Sequence, residues 1–209
     1  MLKQALAKNG LIAILRGLHP QEAQAIGKVL YDEGFRTLEV PLNSPQPYDS
    51  IRILRDSLPA DCLVGAGTVL TPEQVEQVKA AGGQVIVMPH SDPKVLRAAK
   101  TAGLYLAPGV ATPTEAFAAL AEGADVLKMF PAEQMGAAVV KAWLAVLPAG
   151  TLLIPVGGIT PDNMQVFLDA GVAGFGLGSG LFKPGLTPQE VAVRAKAYMN
   201  AWNTQRYAD

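Results

Sequence analysis

One junction recurs along the chain and constrains its fold more than any other feature. A helical stretch, Ala-rich or charged, ends in a small turn containing glycine, and a short apolar segment follows. The cases are DEGFRTLEV (32–40), AAGGQVIVM (80–88), TAGLYLAP (101–108), AEGADVLKMF (121–130) and DAGVAGFGLG (169–178). Glycine after a helix supplies a left-handed C-cap, and the apolar run reads as a strand buried on both faces. SLPADCLVGAG (57–67) and VLPAGTLLIPVGG (146–158) make the same transition with proline at the break. With the opening segment LIAILR (11–16), these junctions predict eight strands, about 20 to 27 residues apart.

Helix starts fall between them. Pro20, Pro72, Pro93, Pro113 and Pro161 stand at first-turn positions, with Thr71, Thr112 and Thr160 as N-cap candidates. Eight β-then-α units with no strand left over predict a closed (β/α)₈ TIM barrel, an α/β fold forming one domain over residues 1–209. An open doubly wound sheet is the alternative. The 209 residues suit one well-buried domain.

Composition narrows the function. Half of the residues are hydrophobic, 17% are charged and the net charge is −1, with no basic stripe, which argues against disorder and nucleic-acid binding. The single cysteine, Cys62, excludes a disulfide framework and reads as a buried apolar residue. MLKQALAKNG lacks a signal-peptide core, and no apolar run approaches membrane-spanning length, so a soluble cytoplasmic protein is expected.

In a barrel of this kind, catalytic groups stand at the C-terminal ends of strands. Three charges interrupt apolar segments there: Arg16 ends the first strand, Glu39 lies late in the second, and Lys128 lies late in the sixth. Strands two and six face each other across eight, so Glu39 and Lys128 can meet, with Arg16 beside them. A buried structural ion-pair network is the competing reading of any one of them, and three together favour catalysis. A lysine in a dry pocket near a second cation loses its proton and attacks a ketone, giving an iminium that serves as an electron sink. Glu39 is the strand-end carboxylate placed to move protons. Asp125, at the start of the sixth strand, reads as structural.

After the seventh and eighth strands, VGGIT (156–160) and GLGSG (176–180) expose backbone N–H groups, and Ser179 adds a hydroxyl, as a phosphate site requires. Thr68 in GAGTVL puts a hydroxyl near the barrel mouth, unless it only starts the next helix. His19 and His90 lie on loops, and no cluster has metal-ligand spacing. Trp143 and Trp202 read as packing residues.

IAILRG (12–17), LEVPLNSP (38–45), GAGTVL, APG (107–109), LKMFPAE (127–133), VGGIT and GLGS (176–179) occur in order over nearly the whole chain. In this the sequence resembles the 2-keto-3-deoxy-6-phosphogluconate/6-phosphogalactonate aldolases. The resemblance implies a class I aldolase, a homotrimer without metal or other cofactor, that cleaves a phosphorylated keto sugar acid to pyruvate and D-glyceraldehyde 3-phosphate. It implies Lys128 as the Schiff-base lysine, Glu39 as the general acid/base and Thr68 as a holder of the pyruvate carboxylate. Phe130 then lines the pocket, and Gly157, Gly158, Gly178 and Ser179 bind phosphate. Asn43 stands where the gluconate branch commonly has arginine, which points to Arg16 for the carboxylate. Val156 stands where that branch tends to have threonine. Both departures favour the galactonate epimer, with the gluconate epimer or dual specificity as alternatives. A sugar-phosphate epimerase or decarboxylase, and a non-catalytic phosphosugar-binding barrel, are the rival readings. The first relies on paired acids or a metal, and the second requires neither Lys128 nor Glu39.

Overall fold

The computed structural model describes Leu6 and residues 9–206, side chains after Thr204 excepted. Of the first ten residues, only Leu6, Asn9 and Gly10 are among them. Strand and helix alternate: β1 (Leu11–Ile14), α1 (Pro20–Asp32), β2 (Thr37–Pro41), α2 (Pro47–Ser57), β3 (Leu63–Gly67), α3 (Pro72–Ala80), β4 (Val85–Val87) and α4 (Pro93–Thr101). Next come β5 (Tyr105–Ala107), β6 (Gly109–Val110), α5 (Pro113–Ala121), β7 (Leu127–Met129), α6 (Ala132–Leu144) and β8 (Leu153–Pro155). A 3₁₀ turn (Pro161–Asn163), α7 (Met164–Leu168), β9 (Phe175–Leu177) and α8 (Pro188–Arg206) complete the order.

The punctuation works as the sequence suggests. Thr71 and Thr112 accept N–H bonds from Gln74 and Glu115 at the starts of α3 and α5. The junction glycines 34, 82, 103, 123 and 171 all adopt positive φ, where a Cβ would be strained. Two expectations need amendment. The fifth strand is split into β5 and β6 at Pro108, which has no N–H to continue a ladder. The helix expected from Pro161 begins as a 3₁₀ turn, because the Asn163 side chain takes the Thr160 N–H and donates to the Gly158 carbonyl.

The result is an α/β fold built on parallel, curled sheet. Six strands pair in the order β5-β4-β3-β2-β1-β9 and three in the order β6-β7-β8. Between the two sheets, Val156 bridges Gly176, the Val126 N–H donates to the Leu106 carbonyl, and the Lys128 N–H donates to the Pro108 carbonyl.

Side chains alternate across each strand, and the core divides accordingly. Leu11, Ala13, Leu38, Val40, Leu127 and Met129 join the large cluster that packs the sheet against its helices. Ile12, Leu63, Val85, Ala107, Val126 and Ile154 form a second cluster on the opposite, inner face. Glu39 lies between Leu38 and Val40, and Lys128 between Leu127 and Met129. Both therefore point to the inner face, the orientation that the sequence leaves open. Asp125 is structural as expected: its carboxylate accepts the Leu106 N–H at 2.9 Å and lies 3.6 Å from the Lys100 ammonium. Cys62 is fully buried, and burial pushes its thiol up to about 12, so it is inert at neutral pH. Trp202 packs edge-on against Phe175, with centroids 6.3 Å apart. Among the described residues, no helix is long and apolar enough to cross a membrane.

Candidate active site

Lys128 and Glu39 are among the few polar side chains in this interior, 6% and 1% exposed. Burial pushes the Lys128 ammonium below its ordinary value; the Glu39 carboxylate works against that shift and the Arg16 guanidinium adds to it. Burial likewise raises Glu39 to about 7, against the attraction of Lys128 and Arg16. The two shifts run toward each other, and the two groups titrate as a coupled pair. Glu39 Oε2 has no hydrogen-bond partner, a costly condition for a buried oxygen unless it has a task. Lys128 Nζ stands 4.8 Å from the centroid of the Phe130 ring, on the same rim of the site.

What makes room for the carboxylate is a glycine. A Cβ built on Gly67, at the end of β3, would stand 2.0 Å from Glu39 Oε2. Residue 67 therefore has to lack a side chain for Glu39 to take this position on the neighbouring strand.

Arg16 follows β1 by two residues and is exposed, so the first strand ends earlier than its apolar run suggests. Its guanidinium donates to Asn43 Oδ1 and, at 3.4 Å, to Thr68 Oγ1. Side chains from the loops after β2 and β3 thus orient it. The adjoining Gly17 N–H donates to Ser44 Oγ at 2.9 Å. Thr68 has φ +55, a genuine outlier for a β-branched residue. Such strain gathers at functional positions, and here it turns a hydroxyl toward a guanidinium suited to a carboxylate.

The glycine loops lie at the same end of the sheet. After β8, Gly157 and Gly158 have φ +107 and +67, and Glu133 of α6 packs against both. Positive φ fixes both glycines by conformation, and at Gly158 space does so too, since a Cβ there would meet Glu133 Cβ at 2.8 Å. After β9, the N–H groups of Leu181 and Phe182 close a turn on the Gly178 carbonyl. Helix α8 braces both loops: Tyr198 donates its hydroxyl to the Ile159 carbonyl at 2.8 Å, and Arg194 reaches the carbonyls of Ser179 and Gly180 at 3.5 and 3.4 Å.

One cavity of about 760 Å³ gathers these parts. Of the residues singled out in the sequence, Arg16, Lys128, Phe130, Val156, Gly157, Gly158, Gly178 and Ser179 line it. Glu39 and Thr68 adjoin residues that line it: Glu39 acts electrostatically on Lys128, and the Thr68 hydroxyl accepts from Arg16. Sequence reasoning missed Gly67, Lys183 and the brace from α8. A glycine late in a strand is a recognised sign of close approach and could have flagged Gly67. Nothing in the local pattern distinguishes Lys183 from a solvated lysine. His19 precedes α1 as its N-cap, and His90 Nδ1 is buried without a hydrogen-bond partner. Among the described residues, no group of three or more His, Cys, Asp or Glu could hold a metal ion.

The chain has known relatives. The model of the KDPG and KHG aldolase family matches residues 2–196. A probable 2-dehydro-3-deoxy-6-phosphogalactonate aldolase of Rhizobium meliloti (strain 1021) is 47% identical, over 92% of this chain and 91% of that protein. The 2-dehydro-3-deoxy-6-phosphogalactonate aldolase of Escherichia coli (strain K12) is 46% identical, over 93% and 95%. A solved structure described as native KDPGal superposes with a TM-score of 0.94 at 45% identity, covering 95% of this chain and 97% of that one. A buried amine in the field of a buried carboxylate, in a fold shared at this level of identity, leads to one assignment: the chain belongs to the KDPG and KHG aldolase family.

Proposed function

We propose that this protein is a class I aldolase that cleaves 2-dehydro-3-deoxy-6-phosphogalactonate to pyruvate and D-glyceraldehyde 3-phosphate through a Schiff base on Lys128. The observation that carries the reading is the buried Lys128–Glu39 pair on the inner face of the sheet. The Lys128 amine adds to the C2 ketone, and Glu39 gives its proton to the carbinolamine hydroxyl, which leaves as water. The resulting carboxylate takes the proton of the C4 hydroxyl. The C3–C4 bond then breaks, its electrons pass to the iminium, and the aldehyde departs. Protonation of the enamine and hydrolysis return pyruvate and the free lysine. Arg16 and Thr68 hold the substrate carboxylate, Phe130 covers the reacting carbons, and Gly157, Gly158, Gly178 and Ser179 take the phosphate.

No step needs a metal or other cofactor. The bridge between Val156 and Gly176, with the backbone bonds that join β5 and β6 to β7, supports a single domain closed as an eight-stranded (β/α)₈ barrel. Assembly as a homotrimer in the cytoplasm is the expectation drawn from the resemblance.

The galactonate preference rests on Val156, a buried wall residue whose side chain fills the space left by Gly176. Steady-state assay of both C4 epimers, with a chelator present, tests it. The wild type is expected to prefer the galactonate epimer, and Val156→Thr to shift the kcat/KM ratio toward the gluconate epimer by about 10-fold. An unchanged ratio would discount Val156.

Gly67→Ala provides a test of positioning. Its Cβ displaces the Glu39 carboxylate, and a misplacement of this size is expected to lower kcat by about 10²-fold while the protein still melts cooperatively. Full turnover would show that the placement of Glu39 does not matter.

A further inference from the structure

We infer that Lys183 is the cation that makes this site selective for phosphorylated over unphosphorylated substrates. The inference rests on the phosphate reading of the two glycine loops and adds to it a residue that neither loop motif contains.

The glycine loops offer only neutral donors, backbone N–H groups and the Ser179 hydroxyl. They can cradle a phosphate but supply no full charge to balance a dianion. The other two cations on the cavity wall are committed elsewhere: Lys128 is buried beside Glu39, and Arg16 is bonded to Asn43 and Thr68. Lys183 is the remaining cation among the residues lining the cavity, four residues beyond Ser179 on the same loop. Among the described residues, no carboxylate lies within ion-pair distance of its ammonium.

The loop that carries it is anchored rather than free. Leu181 and Phe182, immediately before it, are buried at 0% and 2% exposure. The Lys183 carbonyl accepts the Leu186 N–H at 3.2 Å, closing a turn. Pro184 packs against the loop after β1: a Cβ on Gly17 would stand 2.5 Å from Pro184 Cγ. Arg194 reaches the preceding carbonyls of Ser179 and Gly180 from α8. A short, pinned loop thus sets an exposed lysine without an ion-pair partner on the wall of the cavity that the two glycine loops also line. A charge-assisted bond to a phosphoryl oxygen, absent for a free hydroxyl, follows from that placement.

The test is aldol addition of pyruvate to D-glyceraldehyde 3-phosphate and to D-glyceraldehyde, by wild type, Lys183→Ala, Lys183→Glu and Lys183→Arg. The ratio of kcat/KM between the two aldehydes is expected to fall about 10-fold in Lys183→Ala and further in Lys183→Glu, with the loss in KM. Lys183→Arg is expected to restore it. Inorganic phosphate should also inhibit the wild type more strongly than Lys183→Ala. If the wild type prefers the phosphorylated aldehyde and neither Ala nor Glu at this position changes the ratio, Lys183 has no such role. A wild type without that preference overturns the phosphate reading and the Lys183 assignment together.

Discussion

Lys128→Met is expected to lose aldolase activity by roughly 10⁵-fold, because the covalent intermediate cannot form and the remaining site only binds and polarises. The fold should survive. Met matches the length of the lysine stem, and the change removes an ammonium that burial already disfavours. A second consequence concerns Glu39. The Lys128 charge holds the Glu39 carboxyl down, so its removal should raise that carboxyl above about 7. Circular dichroism, thermal melting and a pyruvate-release assay together separate this outcome from misfolding. Substantial turnover in a folded variant would remove Lys128 from the chemistry.

Glu39→Gln carries the second large effect, a loss of about 10²–10⁴-fold in kcat, the usual contribution of a general acid/base. Its pH behaviour is equally specific. The proposed mechanism needs a neutral Lys128 and a protonated Glu39, one proton on the pair, so kcat/KM should fall when the pair holds two and again when it holds none. The Glu39 carboxylate raises Lys128, so its loss should move the acid limb of the residual activity to lower pH. Stability should change in the opposite sense to activity. Glu39 titrates near 7 when folded against an ordinary 4.5, so the folded state retains a proton that the unfolded state has lost. The Glu39 contribution to wild-type stability therefore declines as pH rises from about 4.5 to about 7, by roughly 3 kcal/mol. The glutamine variant has no such decline. It should melt above the wild type at pH 8, with the advantage shrinking toward pH 4.5. Equal stability at both pH values would contradict the buried, elevated carboxyl.

Much of the fold can be read in the sequence because its signals are local. Glycine at a helix end and proline at a helix start act within one turn, and the strand-end charges stand out against apolar neighbours. The split at Pro108 and the 3₁₀ turn at Pro161 were less legible, although each has a local chemical cause: a missing N–H in one case and the Asn163 side chain in the other. Facing direction was harder. Only the division of Leu38, Val40, Leu127 and Met129 from Ile12, Val126 and Ile154 shows that Glu39 and Lys128 share the inner face.

The site divides in the same way. Lys128, Glu39 and the glycine loops carry their chemistry in residue type, and strand order places them together. Gly67 and the strained Thr68 act through the space or backbone angle that a distant strand imposes. The brace from Tyr198 and Arg194 joins residues that lie 39, 15 and 14 positions apart. No motif of neighbouring residues encodes these relations.

The central claim is the covalent bond between Lys128 and the keto acid, and borohydride trapping tests it directly. Protein incubated with pyruvate and sodium borohydride, then digested and sequenced by mass spectrometry, should carry one reduced pyruvyl adduct on the peptide containing LKMFPAE, at Lys128. Activity should be lost in proportion to labelling, and Lys128→Met should take up no label there. Labelling of another lysine with loss of activity, or full activity in protein whose Lys128 is reduced to the adduct, would contradict the Schiff-base mechanism.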